Sequence, residues 1–120
     1  MVSMRHINFT TVFKPILGKK TVLLVSGGLD SMVMLDAYRR FLHSPNHSGE
    51  VLHFNHHLRG DESDRDERVV TRYCRKHHLK CLVVHLSIPV KRGIQNYARN
   101  LRRENLLKLA VKYGWQMALT

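Results

Sequence analysis

Residues 22–35 read VLLVSGGLDSMVML, and this stretch decides the fold. It begins as an unbroken apolar run, turns at two adjacent glycines, and continues with apolar residues at helical spacing. A strand that is buried on both faces of a sheet shows such a run without alternation. The order of strand, glycine turn and helix therefore predicts one βα unit of a parallel sheet.

The rest of the chain repeats this alternation. Strands are predicted at residues 21–26, 50–55 and 80–86 and from residue 116, and helices at residues 6–17, 30–42, 64–78 and 94–113. Crossovers between such strands predict an α/β domain with helices on both faces of a parallel sheet. Because the sequence stops in the fourth strand, we expect either part of a larger domain or a homodimer in which the partner covers that strand.

Three local patterns add detail to this outline. The first long helix has four apolar residues on one face: Met34, Ala37, Tyr38 and Phe41. Ser63 and Asp66 have the spacing of a capping box, which predicts the start of the second long helix near residue 64. Residues 44–49, SPNHSG, predict a turn between the first helix and the second strand.

The chain is strongly basic, with 20 Lys and Arg against 9 Asp and Glu and a net charge of +11. Residues 91–113 contain seven basic residues, with Glu104 as their sole acidic residue. Such a charge favours a polyanionic partner such as nucleic acid or a nucleotide. No apolar run approaches the roughly 20 residues of a membrane helix. Two cysteines form no disulfide framework, so we expect a reduced, cytoplasmic protein without a membrane partner.

The glycine turn has the chemistry of a phosphate site. Gly27 and Gly28 let the backbone approach a ligand, and the following helix directs unpaired amides toward it. Ser26 and Ser31 add hydroxyl groups. Asp30 would repel a phosphate unless a cation lies between them, which points to Mg²⁺ with a polyphosphate. The competing interpretation is an ordinary turn in which Asp30 caps the helix. Neither a complete P-loop nor a G-x-G-x-x-G signature is present.

Residues 26–31, SGGLDS, resemble the SGGxDS loop of the N-type ATP pyrophosphatases, the PP-loop superfamily. The resemblance implies the Rossmann-like adenine nucleotide alpha hydrolase fold and cleavage of ATP between the α and β phosphates. It also implies that residues 1–120 are the N-terminal part of a PP-loop catalytic domain. The remainder of that domain would begin with a HHxDDxxET-like segment that this sequence lacks.

Two further segments resemble one branch of this superfamily, the tRNA(Ile)-lysidine synthetases. Residues 53–59, HFNHHLR, are similar to the family's HVNHGLR, with His57 in place of the usual glycine. Residues 94–102, IQNYARNLR, are similar to its I-E-x-x-A-R-x-x-R, with Gln95 in place of the glutamate. In this family ATP adenylates C2 of the wobble cytidine of tRNA(Ile), and free lysine then displaces AMP to form lysidine.

The resemblance implies a role for each matching residue. The pyrophosphate of ATP would contact Ser26, Gly27, Gly28, Leu29 and Ser31. Asp30 would act through Mg²⁺ or orient the loop. The strand residues beside the adenosine would be His53, Phe54 and Asn55. Arg99 and Arg102 would approach the α phosphate, with Arg102 and Arg103 on RNA. His56 is the candidate general base, because a neutral imidazole can accept a proton near pH 7.

Other interpretations stay open at this point. Another PP-loop enzyme would share the loop, either a tRNA thiolase or an amidotransferase-type synthetase. For a thiolase we would look for Cys-x-x-Cys pairs, and the sequence has none. A third possibility is a module that binds nucleotide or RNA without catalysis. At the level of single residues, His53 could be only a packed strand residue, and Arg99 and Arg102 could only solvate their helix.

Overall fold

A computed structural model describes residues 18–42, 48–88 and 93–120. The helix predicted at residues 6–17 and most of the turn predicted at residues 44–49 lie outside these ranges. The described elements are, in chain order, β1 Lys20–Leu24, α1 Leu29–Leu42, β2 Ser48–Asn55, α2 Asp61–Lys76, β3 Cys81–His85, α3 Ile94–Tyr113 and β4 Met117–Leu119. Each strand and long helix predicted within these ranges is present; α3 has the predicted ends, and the other elements are shifted at one or both ends.

The four strands form one parallel sheet in the order β3-β2-β1-β4. Leu23 of β1 pairs with Val51 of β2 on one side and with Leu119 of β4 on the other. The predicted α/β architecture is therefore confirmed. Because β1 and β2 are the two inner strands, their carboxyl ends lie side by side at one edge of the sheet, where α/β proteins bind their ligands.

Helices cover both faces of the sheet. On one face, α1 and α2 pack on β1 and β2 through a buried cluster: Leu23, Val25, Leu35, Ala37, Tyr38, Phe41, Val51, Val70 and Cys74. On the other face, α3 packs on Val22 and Leu52 through Leu106, Leu109, Ala110 and Tyr113, together with Trp115. Met34 was predicted to lie on the apolar face of α1, but it is exposed. Leu35 is buried in the core in its place. In the described ranges, no helix is long and apolar enough to cross a membrane.

The start of β2 shows why the turn prediction was too long. β2 begins at Ser48, so Gly49 lies within the strand and pairs with Thr21. A Cβ atom at position 49 would overlap the hydroxyl of Tyr38. That hydroxyl shares a 2.6 Å hydrogen bond with Thr21, and burial raises the pKa of Tyr38 to about 12. Gly49 therefore serves close packing between α1 and the sheet.

The start of α2 also differs from the prediction. The helix begins at Asp61, and Gly60 at its N-cap position makes no side-chain cap hydrogen bond. The predicted capping box of Ser63 and Asp66 is therefore wrong. Ser63 lies inside the first turn, where its hydroxyl accepts a hydrogen bond from the backbone amide of Arg59. Acidic residues in the first turn interact favourably with the helix dipole, which supports the earlier start.

Candidate nucleotide site

A cavity of about 790 Å³ lies at the carboxyl edge of β1 and β2, between the loop after β1, the turn after β2 and helix α3. Ten of the residues predicted for the site line it: Ser26, Gly28, Ser31, His53, Phe54, Asn55, His56, Arg99, Arg102 and Arg103. They come from three segments that are far apart in sequence. Their convergence on one cavity follows from the neighbouring positions of β1 and β2 in the sheet.

Three predicted residues are not among those that line the cavity. Gly27 faces α2, the side chain of Leu29 is 75% exposed, and Asp30 is exposed in the first turn of α1. Leu29 therefore does not line the cavity, and its contact with the pyrophosphate stays a prediction. Asp30 lies between two residues of the loop that do line the cavity, Gly28 and Ser31, and its role toward Mg²⁺ stays a prediction.

The loop after β1 is closed by its own serines. The hydroxyl of Ser31 accepts hydrogen bonds from the amide of Gly27 and the hydroxyl of Ser26, and donates to the carbonyl of Gly28. The hydroxyl of Ser26 in turn accepts from the amide of Gly28 at 3.3 Å. A bound oxyanion would take over these amides and hydroxyls, because the loop presents them at the N-terminus of α1.

Gly27 is packed directly against α2. Its φ of +94° is one that residues with a side chain rarely adopt, and an added Cβ would lie 2.8 Å from the Cβ of Asp66. It would also lie 2.9 Å from the carbonyl oxygen of Asp66. Helix α2 therefore packs against the loop through Asp66, and only glycine fits at position 27.

The cavity wall is strongly positive. Four arginines line it, Arg59, Arg99, Arg102 and Arg103, against one carboxylate, that of Asp66. Arg59 is paired with Asp66 at 2.6 Å and with Glu62 at 3.3 Å. Among the described residues, the three arginines of α3 make no ion pair. This excess of guanidinium groups suits a ligand with several negative charges, because guanidinium pairs with phosphate in a bidentate geometry.

Asn55 organises the turn after β2. Its buried amide donates hydrogen bonds to Asp64 and Glu67 at 3.1 Å each, and its oxygen accepts from the amide of His57 at 2.9 Å. His57 has a φ of +55°, at the position where the resembling family has glycine. Its ring shares a 2.7 Å hydrogen bond with His85 at the end of β3. These hydrogen bonds therefore accompany a positive φ at position 57, where this chain has no glycine.

The two histidines of the cavity wall are held in different ways. Nδ1 of His53 lies 2.7 Å from the carbonyl oxygen of Val25, so this nitrogen donates, and Nε2 is buried with no partner among the described residues. Nδ1 of His56 accepts a hydrogen bond from the amide of Leu58 at 3.0 Å. Burial, followed by the charges of Arg59 and Arg102, lowers the pKa of His56 below its usual value.

Arg59, Ser63 and Asp66 line the cavity, although the sequence indicated no ligand role for them. Arg59 belongs to the segment 53–59 that resembles the family, but the sequence did not show its ion pairs with Glu62 and Asp66. Asp66 was interpreted as a cap because its spacing from Ser63 fits that pattern. The basic side chain of Arg59 was the one feature of the sequence that could have indicated a ligand contact. The residues near Asp66 in the sequence do not show that it packs against Gly27.

Known proteins that resemble this chain indicate its family. The family model described as a PP-loop domain matches residues 1–120. The tRNA(Ile)-lysidine synthase of Ureaplasma parvum is 32% identical over 112 residues, 88% of this chain and 32% of that protein. The enzyme of the same name from Bacteroides thetaiotaomicron is 40% identical over 76 residues, 63% of this chain and 16% of that protein. The chain thus spans a third or less of these relatives.

A solved structure has the same fold. The U34-tRNA thiolase NcsA from Methanococcus maripaludis, determined with its [4Fe-4S] cluster, superposes with a TM-score of 0.73. The match covers 92% of this chain and 42% of the thiolase at 16% sequence identity. At this identity, the match shows a shared fold and carries no conclusion about substrate.

Proposed function

Because the chain belongs to the PP-loop domain family, we propose that it is the ATP-activating part of a tRNA(Ile)-lysidine synthase. In this reaction the O2 oxygen of a cytidine attacks the α phosphate of ATP, and pyrophosphate leaves. The ε-amine of free lysine then attacks C2, the C2–O bond breaks and AMP departs. The curated relatives named above support this choice of enzyme among the PP-loop proteins.

One observation carries the proposal. A serine- and glycine-lined loop at a helix N-terminus and three arginines of α3 face the same cavity of about 790 Å³. Loop amides and hydroxyls suit the terminal phosphates, and the guanidinium groups suit charge that builds up at the α phosphate. Neither feature alone would require a nucleotide, but together they fit a triphosphate in one orientation.

The loop fits ATP, and Asp30 fits an accompanying Mg²⁺. The carboxylate of Asp30 is exposed at the start of α1, beside the loop. Mg²⁺ keeps several waters and binds through one or two carboxylates plus phosphates, so one nearby carboxylate is sufficient. In the part of the chain that the structure describes, no group of three His, Cys, Asp or Glu side chains could hold a metal by itself. Mg²⁺ would neutralise phosphate charge.

The tRNA and the amino acid complete the proposed substrates. A net charge of +11 favours RNA, and exposed Arg103 on α3 extends the basic wall of the cavity toward solvent. Arg102 and Arg103 are therefore proposed to contact the RNA backbone near the reacting cytidine. The predicted homodimer stays a prediction.

The test measures pyrophosphate release from ATP by the protein with tRNA(Ile) and lysine, together with incorporation of labelled lysine into the RNA. We expect both to require all three substrates. Arg102→Ala should weaken ATP binding about tenfold, or about 1.4 kcal/mol. Arg72→Ala, on an exposed part of α2, is the matched control and should have no effect. ATP binding without any transfer of lysine to RNA would contradict the proposal.

A further inference from the structure

We propose that His56 acts as an uncharged hydrogen-bond donor to a phosphoryl oxygen of the bound nucleotide, and not as a general base. The identity of the ligand rests on the function proposed above, but the state of the ring follows from the structure of this chain. A series of hydrogen bonds runs from Asn55, where β2 ends, through the turn to the imidazole of His56.

Asn55 directs the first step of the turn. Its side-chain amide has two hydrogens, and both are used by the carboxylates of Asp64 and Glu67. Its oxygen is therefore the group that meets the backbone, and it accepts from the amide of His57 at 2.9 Å. Since Asn55 is 1% exposed and holds three hydrogen bonds, its amide cannot rotate without leaving buried polar groups unpaired.

The second step fixes the tautomer of His56. The φ of +55° at His57 turns the chain so that the amide of Leu58 points back at the ring of His56. This N–H donates to Nδ1 at 3.0 Å, so Nδ1 carries a lone pair and no proton. In the neutral ring the single proton is then on Nε2. The nitrogen that remains for a ligand is a donor.

The surroundings keep this ring neutral. Burial is the largest influence, and the neighbouring Arg59, Arg102 and His53 also lower the pKa of His56. Asp66 is the one carboxylate that acts in the opposite direction. Protonation would also place a hydrogen on Nδ1, directly opposite the N–H of Leu58, and would break that hydrogen bond. Geometry and charge therefore both favour the neutral ring over the imidazolium form.

A donor is more useful than a base at this place. His56 lines the same cavity as the loop serines and Arg102, where phosphoryl oxygens of the nucleotide would gain charge. A fixed N–H supplies stabilisation without reorganisation, and loss of one such donor typically lowers kcat by about 100-fold or more. A general base needs an accepting lone pair, and the lone pair of His56 is used by Leu58.

Two variants separate the two roles. Asparagine at this position can keep the acceptor for Leu58 but has no atom at the place of Nε2, whereas glutamine places an N–H there and cannot titrate. We expect His56→Asn to lower kcat for pyrophosphate release about 100-fold with little change in KM, and His56→Gln to lower it only several-fold. His78→Gln, at an exposed histidine that does not line the cavity, is the control and should match the wild type. Equal losses in both variants would overturn the proposal.

Nitrogen-15 NMR of the histidine rings gives a readout that does not depend on turnover. At pH 7, His56 should show an unprotonated Nδ1 and a proton on Nε2, and this proton should shift when ATP and Mg²⁺ are added. An Nδ1–H tautomer, a charged ring or an unmoved Nε2 proton would each overturn the inference. If ATP shifts this proton but lysine is never transferred to RNA, the inference holds and the proposed function fails.

Discussion

The two connections at the carboxyl edge of the sheet make tight turns by different means. Between β1 and α1, Gly27 takes a φ of +94° that suits a residue without a side chain. Between β2 and α2, His57 takes a φ of +55°, and hydrogen bonds from Asn55 and His85 hold it there. The first turn obtains its positive φ from a glycine, whereas the second places a histidine there that is bonded to residues of β2 and β3. A short motif can therefore reveal the first turn and not the second.

The largest effect should come from Gly27→Ala. The added methyl group meets the backbone and Cβ of Asp66 and also strains φ, so we expect a loss of about 3 kcal/mol in unfolding free energy and no measurable ATP binding. Urea unfolding and nucleotide titration check this. Gly114→Ala is the matched control, because Gly114 has a left-handed conformation with a φ of +72° and nothing within 4 Å of an added Cβ. It should cost only about 1 kcal/mol, and an equal cost at both sites would disprove the packing of Gly27 on α2.

The next effect tests the turn after β2. Asn55→Leu keeps the volume but removes three hydrogen bonds, leaving the amide of His57 and two carboxylates without their partner. We expect a loss of about 2–3 kcal/mol in urea unfolding. The control is Asn105→Leu, since Asn105 makes one hydrogen bond, to a carbonyl within α3. It should cost less than about 1 kcal/mol. A loss at position 55 no larger than the control would mean that the amide does not hold the turn.

A smaller effect concerns the strain at His57. His57→Gly removes the strain of the positive φ but loses the contact with His85. We therefore expect the free energy of unfolding to rise by about 0.5 kcal/mol. His78→Gly should gain about 1 kcal/mol, because His78 has a φ of +57° and no comparable ring contact among the described residues. Thermal unfolding of both variants measures the difference. Destabilisation at position 57 by more than 1 kcal/mol would mean that the His57–His85 contact outweighs the strain.

The smallest effect is a change with pH. Because folding lowers the pKa of His56, the unfolded chain takes up this proton first as the pH falls. The stabilisation from the neutral ring is fully present above the ordinary value of 6.5 and is lost as the pH falls toward the lower, folded-state pKa. His56→Gln should therefore show a flatter stability curve than the wild type below pH 6.5. Parallel curves would contradict a depressed pKa.

Most of the fold was readable because the signals are local. The apolar runs of β1 and β2 and the helical spacing of Leu106, Leu109 and Tyr113 predicted elements that the structure contains. The errors arose where a distant contact overrides a local pattern. Gly49 has the composition of a turn but lies in a strand, since the hydroxyl of Tyr38 occupies the space of its side chain.

The candidate site divides in the same way. The loop serines and the arginines of α3 were predicted from motifs, and the structure brings them to one cavity. Asp66 was misread as a cap, because only its place beneath Gly27 shows that it supports the loop. The general-base role expected for His56 came from its residue type, and the sequence could not show that Nδ1 accepts a hydrogen bond from the amide of Leu58.

The sequence by itself determined the order of elements, the glycine loop and the positive charge of the nucleotide site. Each of these depends on neighbouring residues or on composition. Only the tertiary structure decided that α2 supports the loop, that α3 lines the cavity, and that Nδ1 of His56 accepts from the amide of Leu58. Hydrogen-bond polarity and close packing are set by atoms that are distant in sequence, so no local pattern can specify them.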